Sequence, residues 1–188
     1  MMTAKRCSWC ERDALYRAYH DEEWGRPIHD DRRLFELLVL ESFQAGLSWY
    51  TILAKREGFR AAFDGFDYRL IAAYDDAKVE ALMQDTRIVR NRRKILATIQ
   101  NAALFMEIQQ EFGSFSEFIW AFVGGSPCVN HPRKLEDVPA STPTSDAIAK
   151  ELKRRGFKFI GTTVAYAFMQ AVGLVNDHVE DCAFKYPD

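Results

Sequence analysis

Residues 162–175, TTVAYAFMQAVGLV, constrain the fold more than any other segment of the chain. They carry no charged side chain, and their apolar residues would cover a helix almost all round. Such a helix must be buried on every side. The segment falls short of the roughly 20 apolar residues that a membrane-spanning helix needs. We therefore predict a central helix at 162–175, packed inside a folded core.

Segments with helical apolar spacing surround this central element. Asp30 and Ser48 stand where helix-capping residues are expected, and the apolar residues after them repeat at helical intervals. The predicted helices are 30–46, 48–59, 67–74, 76–84, 94–113, 114–125 and 144–156. Convincing strand alternation is absent, so the sequence predicts an all-α fold.

A proline-rich stretch, 126–145, interrupts the helical pattern. Helix 162–175 comes after it, and the helices before it need that helix to bury their apolar faces. We therefore expect residues 1–188 to form one helical domain, with two lobes sharing helix 162–175 as the alternative arrangement. A chain of 188 residues is long enough to bury a substantial core of this kind.

The charge balance limits the classes of partner. The formal net charge is −2, so no overall positive field attracts nucleic acid, and any DNA-binding surface must be local. No segment resembles a membrane span or a signal peptide, so we expect a cytoplasmic protein without a membrane partner. In that compartment the four cysteines are expected to be free or metal-bound rather than paired.

The stretch LESFQAGLSW (40–49) places an acid within an apolar helical run. Glu41 falls on or near the face formed by Leu34, Leu37 and Leu38. A carboxyl on a packed face is strongly unfavourable unless a cation or a hydrogen-bond donor meets it. The residue types around Glu41 do not by themselves identify that group.

Cysteine and histidine residues with metal-ligand spacing lie near both ends of the chain. The motif CSWC contains Cys7 and Cys10, and the motif HVEDC contains His178 and Cys182. His20 is a further candidate. Buried cysteines without a metal are also common. Spacing therefore leaves a metal site and free thiols equally open, and it does not choose between Cys7 and Cys10.

Two basic segments offer local positive charge: RIVRNRRK (87–94) and KELKRRGFK (150–158). Basic runs of this kind are usually the solvated face of a helix. The functional alternative is a helix–hairpin–helix contact with a phosphate backbone, made by arginines and helix N-termini. Two such segments in a nearly neutral protein favour this alternative modestly.

Four aromatic residues lie in the segments that carry the candidate ligands and Glu41: Trp9, Tyr19, Trp24 and Trp49. Aromatic residues at helical spacing belong more often to a core than to a pocket. A pocket for a base flipped out of DNA needs aromatic walls and a polar floor. Several aromatics together with one isolated acid fit both requirements.

Long ordered blocks resemble one known family. YRAYHDEEWGRP, LFELLVLESFQAGLSWYTILAKRE, LKRRGFKFIGTTVAYAFMQAVGLVNDH and the closing Cys182 are similar to 3-methyladenine DNA glycosylase I, and the similarity runs from about Cys7 onward. It implies an all-helical fold of the helix–hairpin–helix glycosylase superfamily. It also implies removal of N3-methylated adenine from double-stranded DNA, the first step of base-excision repair.

The resemblance implies roles for individual residues. A structural zinc ion would be held by Cys7, His20, His178 and Cys182, which would clip the two ends of the chain together, and Cys10 would not be a ligand. The base pocket would comprise Glu41, Tyr19, Trp9, Trp24 and Trp49. The expected DNA contacts are Gln44, Gly46, Leu47, Arg90 and Lys94.

Asp177 and the basic segment 87–94 raise two further expectations. Asp177 is expected to be structural or to support the adjacent ligand His178. Glycines are expected in parts of the family's DNA-binding hairpin, yet this chain has Arg87 and Arg93 in RIVRNRRK. A charged contact with phosphate would then replace the close approach that glycine permits.

The chemistry of the lesion suggests why an acid lies at position 41. Methylation at N3 makes the base cationic, so Glu41 is expected to be a buried anion that binds the flipped cation while Trp49 stacks on it. Normal adenine is neutral and would leave Glu41 poorly paired. We expect Glu41 to be the catalytic residue of a monomeric, monofunctional enzyme that does not cleave the DNA strand.

Two other classes of protein remain open at this point. A non-catalytic helical DNA-binding module, clipped by zinc, would explain the basic segments and the Cys/His set, but not an isolated acid beside four aromatics. A purely structural helical protein would explain the apolar pattern alone. Release of base from alkylated DNA distinguishes the glycosylase from both.

Overall fold

The computed structural model describes residues 4–186, which fold mainly into α-helices, as the sequence predicts. The helices are α1 (Ala14–Glu22), α2 (Asp31–Phe43), α3 (Trp49–Ala54), α4 (Arg56–Ala62), α5 (Tyr68–Ala72), α6 (Asp76–Gln84), α7 (Arg92–Phe112), α8 (Phe115–Trp120), α9 (Pro143–Arg155) and α10 (Thr162–Ala171). Single turns of 3₁₀ helix lie at Ser8–Cys10, Asp64–Phe66, Ala121–Val123 and Leu135–Asp137. None of the helices in residues 4–186 is both long and apolar enough to cross a membrane.

Side-chain caps explain where several helices begin. Asp30 and Ser48 each accept a hydrogen bond from the backbone amide three residues further on, as their positions predict. Asp13 caps α1 in the same way, accepting from the Tyr16 amide at 3.0 Å. The apolar spacing used above does not predict α1, although Asp13 is a recognisable start signal.

Four predicted helices differ from those observed. α2 ends at Phe43 rather than at 46, and α8 ends at Trp120, where a 3₁₀ turn begins, rather than at 125. The predicted helix 48–59 is broken at Lys55, whose φ and ψ of −97° and 0° are not helical, so α3 and α4 are separate. The central helix α10 ends before Gly173, and a short strand at Val175–Asn176 replaces its last predicted turn. Gly173 has φ +75°, and a Cβ there would lie 2.2 Å from the Arg26 carbonyl carbon. Only glycine fits this close turn.

Helices α2 and α10 position the site, although α10, which the sequence predicts to be buried on every side, exposes Thr163. α10 packs against both α2 and α9. On α2, every residue from 34 to 43 is buried, so the C-terminal half of this helix has no solvent-facing side. That burial carries Glu41, near the end of α2, into the interior of the protein.

The proline-rich stretch is attached to the C-terminal segment. The two-residue strand β1 (Cys128–Val129) pairs in parallel with β2 (Val175–Asn176). Further along, the Pro132 carbonyl accepts a hydrogen bond of 2.8 Å from the Glu180 amide. The sequence predicts no strand here, because two residues are too few to show alternation.

Candidate active site

A cavity of about 410 Å³ lies where α1, the end of α2 and the C-terminal segment meet. Its lining includes the full set of residues that the resemblance assigns to a base pocket: Trp9, Tyr19, Trp24, Glu41 and Trp49. Their side chains come from a 3₁₀ turn, from α1, α2 and α3, and from the turn that follows α1. The fold therefore brings together aromatic walls and one acid, as the sequence suggests.

Glu41 lies in the cavity wall without a partner for its charge. The side chain is 4% exposed, and its Oε2 atom makes no hydrogen bond within residues 4–186. Burial raises the pKa of Glu41 to about 8. Burial therefore favours the neutral carboxylic acid in the protein on its own, whereas the sequence analysis expects a standing anion.

Trp49 and Tyr19 add polar atoms to the same cavity. Trp49 Nε1 is buried and has no hydrogen-bond partner among the described residues. The Tyr19 ring lies 5.4 Å from the Trp49 ring, centroid to centroid. Burial, and next the Glu41 carboxyl, raise the pKa of Tyr19, so its hydroxyl stays protonated and can donate. Glu41 and Trp49 thus favour a planar ligand with both a donor and an acceptor at its edge.

Trp9 and Trp24 pack against the two histidines of the Cys/His set, and Cys7 of the same set lines the cavity directly. Their ring centroids are 5.0 Å apart at an interplanar angle of 72°. The Trp9 ring lies 5.2 Å from the His20 ring, and the Trp24 ring lies 4.7 Å from the His178 ring. Two walls of the cavity therefore rest directly on the candidate metal ligands.

Tyr16 is a cavity residue that the sequence patterns do not identify. Its ring meets the Trp9 ring edge-on at 4.9 Å, and it lines the cavity beside Tyr19. Residues three apart on a helix share a face. A helix started at the Asp13 cap would have placed both tyrosines on the cavity side.

The proline-rich stretch supplies a further wall, through Leu135, Val138 and Pro139. Their local sequence contains no signal for a pocket. They reach the cavity because the pairing of β1 with β2 brings the stretch alongside the C-terminal segment. Only the long-range pairing decides this placement.

Asp177 also lines the cavity and accepts three hydrogen bonds. Asn130 Nδ2 donates to its Oδ1, while the Tyr166 hydroxyl and Gln170 Nε2 donate to its Oδ2. The His178 ring bonds elsewhere, so Asp177 does not orient that ligand. Of the two expected roles, the structural one fits, because Asp177 ties the proline-rich stretch to α10.

Cys7, His20, His178 and Cys182 form a buried cluster, in which one ligand atom of each residue lies within 4.8 Å of the others. Cys10 is not a member, since its thiol donates to the Cys7 carbonyl oxygen at 3.1 Å. A hydrogen bond from the Cys7 thiol lowers the pKa of Cys182 well below its usual range. That shift favours the thiolate, the form that binds metals.

The hydrogen bonds of the two histidines fit a metal site. His20 Nδ1 lies 2.7 Å from Asp21 Oδ1, and His178 Nε2 lies 3.0 Å from the Trp24 carbonyl oxygen. Both partners only accept, so these ring nitrogens carry the protons. His20 Nε2 and His178 Nδ1 then present lone pairs to each other at 3.1 Å. A proton or a metal ion shared between them would satisfy both lone pairs, and the two nearby sulfurs make the set suitable for zinc.

Known proteins match this chain over almost its whole length. The family model described as Methyladenine glycosylase matches residues 9–186. The chain belongs to the methyladenine glycosylase family. DNA-3-methyladenine glycosylase 1 of Escherichia coli strain K12 is 51% identical over 178 residues, which are 95% of either protein. DNA-3-methyladenine glycosylase of Haemophilus influenzae is 46% identical over 180 residues, covering 96% of this chain and 97% of that protein.

A solved structure of the methyladenine glycosylase family supports the same assignment. It is a variant of 3-methyladenine DNA glycosylase I in complex with 3-methyladenine, 37% identical to this chain. The two structures superpose with a TM-score of 0.93 over 97% of this chain and 98% of the other. The resemblance to this family is therefore confirmed.

The turn expected to contact DNA lies beside the cavity of this methyladenine glycosylase fold. Gln44 lines the cavity, while residues 45–47 are exposed. Gly46 has φ +80°, and a Cβ at that position would meet no atom within 4 Å. Leu47 is 40% exposed. The turn therefore presents an apolar side chain, and a backbone that another molecule can approach closely, next to the cavity.

The structure separates the two basic residues expected at DNA. Arg90 is exposed. Lys94 is 6% exposed, and its ammonium donates to the carbonyl oxygens of Phe43 at 2.8 Å and Ala45 at 3.1 Å. The expectation that Lys94 contacts DNA is wrong for this structure. Lys94 instead satisfies carbonyls at the C-terminal end of α2, where a positive charge is favourable.

Lys94→Met is expected to loosen the 44–47 turn, because it leaves the Phe43 and Ala45 carbonyls without their donor. We expect a loss of about 1–3 kcal/mol in the free energy of unfolding, measured by urea denaturation. Arg92→Met, a nearby exposed site paired with Glu80, is the control and should change stability by less than about 0.5 kcal/mol. Equal effects of the two variants would contradict the role given to Lys94.

Two helix pairs of this family member are joined by short turns, at 85–91 between α6 and α7 and at 156–161 between α9 and α10. In the first turn Arg87 is paired with a neighbouring aspartate. The second turn begins at Gly156, with φ +102°, and ends at Gly161, where a Cβ would meet no atom within 4 Å. The sequence analysis expects glycines in the DNA-binding hairpin of this family. The turn at 156–161 contains such glycines, whereas residues 87–94 do not.

Proposed function

We propose that this chain is a monofunctional DNA glycosylase that extrudes a 3-methyladenine nucleotide from duplex DNA and hydrolyses its N-glycosidic bond. One observation carries the proposal: the two buried side-chain atoms that lack partners within residues 4–186, Glu41 Oε2 and Trp49 Nε1, both belong to side chains that line one aromatic cavity. A DNA-binding module or a structural protein gives no reason for leaving these atoms unpaired.

The charge of the lesion fits the ionisation of Glu41. A base methylated at N3 is a cation while it is attached to the sugar. On entering the cavity, it favours loss of the proton that burial holds on Glu41, and the resulting carboxylate pairs with it. A neutral adenine cannot offset the cost of ionising a buried acid. Selection therefore rests on charge more than on shape.

Bond cleavage follows from the same charge. When the glycosidic bond breaks, its electron pair passes to the base and neutralises it, and the sugar is left as a cation that water attacks with loss of a proton. Trp49 Nε1 and the Tyr19 hydroxyl are donors to the edge of the departing base. Their hydrogen bonds stabilise the electron density that the base gains.

The Cys/His cluster would hold a structural zinc ion through Cys7, His20, His178 and Cys182. Four protein ligands leave no position for a reacting water, so the ion would serve folding rather than chemistry. It would join residues near the start of the chain to residues near its end. Because Trp9 and Trp24 lie against the histidine rings, it would also fix two walls of the cavity.

Duplex DNA would approach the face that bears the cavity. Leu47 would enter the stack where the base has left, as apolar wedges do in other base-unstacking proteins. Arg90 would meet a phosphate, and the open backbone around Gly161 would allow a second phosphate close to the N-terminus of α10. These contacts would help to extrude the nucleotide from the duplex. They would not discriminate between one base and another.

Release of base from methylated DNA tests the proposed function. The protein is incubated with duplex DNA treated with a methylating agent, and the free bases are separated by chromatography. We expect 3-methyladenine in the soluble fraction, increasing with time and protein. Binding to this DNA without any base release would contradict the proposal and favour the non-catalytic DNA-binding module.

Strand cleavage should not accompany base release. A lyase needs an amine that forms a Schiff base with the sugar. The described residues that line the cavity include no lysine. Lys55 donates to the Thr86 carbonyl, and Lys94 is buried against α2. Borohydride added during turnover is therefore expected to trap no protein–DNA adduct, and a trapped adduct would show that the reaction is not monofunctional.

A further inference from the structure

A second exposed apolar residue lies at the cavity, on a different segment from Leu47. Leu135 is 47% exposed and lines the cavity beside Val138 and Pro139. Single exposed leucines are ordinary on protein surfaces, so exposure alone indicates nothing. Among the large apolar residues exposed in 4–186, however, Leu135 is the one that lines this cavity, whereas Leu96, for example, does not.

The turn that carries Leu135 is ordered by its own hydrogen bonds. Asp137 Oδ2 accepts from the backbone amides of Arg133 at 3.0 Å and Lys134 at 3.2 Å. The Val138 amide donates to the Leu135 carbonyl at 3.1 Å. A turn that is already ordered loses little conformational entropy when it binds a partner.

Anchors on the C-terminal segment hold this turn at the cavity. The Pro132 carbonyl accepts from the Glu180 amide, and the Asn130 carbonyl accepts from the buried ammonium of Lys185. Asn130 Nδ2 also donates to Asp177, itself a cavity residue. The turn is therefore hydrogen-bonded to the C-terminal segment, which contributes Asp177 to the cavity lining.

Two basic side chains of the turn suit a polyanion. Arg133 and Lys134 are exposed on the approach to Leu135. The Asp137 carboxylate accepts from backbone amides rather than from these side chains, so neither cation is paired with it. Glu136 and Asp137 make the turn formally neutral, and its positive charge lies on the two residues that precede Leu135. Phosphate is the anion that lies next to a base entering the cavity.

We propose that residues 133–137 form a second DNA-contacting element, in addition to the 44–47 turn. Leu135 packs against the sugars of the lesion-bearing strand beside the extruded nucleotide, and Arg133 and Lys134 contact the flanking phosphates. The proposal rests on the proposed function, because it requires the nucleotide to enter the cavity. In this proposal the proline-rich stretch helps to bind the lesion-bearing DNA strand.

Duplex affinity of an apolar variant tests the contact made by Leu135. The probe is a labelled duplex with one stable abasic analogue, and its dissociation constant is measured by fluorescence anisotropy. Leu135→Ala is expected to weaken binding about tenfold. Leu96→Ala, which removes a leucine of similar exposure on α7, should change it less than twofold. Equal affinities of the two variants would overturn the proposal.

Salt dependence tests the two cations. The double variant Arg133→Ala/Lys134→Ala should reduce the slope of log Kd against log salt concentration by about 1–2, as expected for two lost phosphate contacts. Arg32→Ala/Arg69→Ala changes net charge equally, at exposed sites on α2 and α5, and should leave the slope unchanged. An unchanged slope in the first double variant, or an equal change in both, would overturn the proposal.

A separate measurement distinguishes failure of this proposal from failure of the proposed function. Base release from methylated DNA is measured with the wild-type protein, and duplex affinity is measured with the variants, so that the two results are independent. If wild-type protein released no base while Leu135→Ala and the charge variant still lost duplex affinity, the function would be wrong and the DNA contact would stand.

Discussion

Glu41→Gln is expected to remove most base recognition and, at the same time, to stabilise the protein on its own at alkaline pH. Glutamine keeps the size of the side chain and one acceptor but cannot become an anion. Losing a charged hydrogen bond to the cationic base should cost about 1.5–3 kcal/mol, or roughly 10- to 150-fold in kcat/KM at pH 8. No compensating donor or cation is available, because Glu41 Oε2 has no partner in residues 4–186.

The pH dependence follows from the raised pKa of Glu41. Folding moves this pKa from 4.5 to about 8, so the folded protein holds a proton that the unfolded chain has lost. As far as Glu41 is concerned, the free energy of unfolding of the wild type is therefore highest below about pH 4.5, where both states hold the proton. It falls as the pH rises and reaches its lowest value near pH 8. Between these two pH values the free energy of unfolding of Glu41→Gln should come to exceed that of the wild type by as much as about 5 kcal/mol.

Two measurements check this expectation. Thermal unfolding of both proteins from pH 5 to 8.5 should give a difference in Tm that increases with pH. The wild-type kcat/KM on methylated DNA should rise toward pH 8, while that of Glu41→Gln stays low and flat. A variant that binds free 3-methyladenine as tightly as wild type, or whose Tm difference is constant with pH, would show that Glu41 lacks this role.

Zinc removal is expected to have the largest effect on stability. Protein purified without chelator should contain one zinc ion per chain by elemental analysis, and Cys182→Ser should contain none. Structural zinc sites contribute many kcal/mol to folding, and one kcal/mol corresponds to about 2–4 °C in Tm for a chain of this size. We therefore expect Cys182→Ser to lower Tm by at least about 10 °C.

Cys10→Ser is the matched control, because Cys10 is also buried but its thiol donates to the Cys7 backbone carbonyl and is not one of the clustered ligand atoms. It should keep its zinc and lose little stability. Binding of free 3-methyladenine, followed by tryptophan fluorescence, should weaken in Cys182→Ser but not in Cys10→Ser, since Trp9 and Trp24 rest on the cluster. Absence of stoichiometric zinc, or its loss in Cys10→Ser, would contradict the assignment.

Local sequence signals account for much of the fold and for the best-defined part of the site. Caps such as Asp30 and Ser48 mark helix starts because their bonds involve residues only three positions away. The acid in LESFQAGLSW is conspicuous because it interrupts an apolar stripe, and the structure places it in a cavity. These features depend on neighbours along the chain, so they can be predicted from it.

Other features depend on segments that are distant in sequence, and these could not be predicted. Lys94 belongs to a basic run that looks solvent-exposed, but the packing of α7 against α2 turns it toward the Phe43 carbonyl. Leu135 reaches the cavity only because β1 pairs with β2. The raised pKa of Glu41 results from its burial in the folded protein, which no local pattern encodes. Choosing Cys7 over Cys10 required a resemblance to a family.

The closure of the cluster across the chain has a consequence for how the protein is made. Cys7 and His178 are 171 positions apart, so a ribosome must synthesise nearly all of this sequence before the last ligands can join the first. Closing a loop of that length costs about 4–5 kcal/mol of chain entropy. Until it closes, reduced thiols and indole rings at the start of the nascent chain lack their partners. The metal site proposed for this cluster would then form late, after the helices between its ligands.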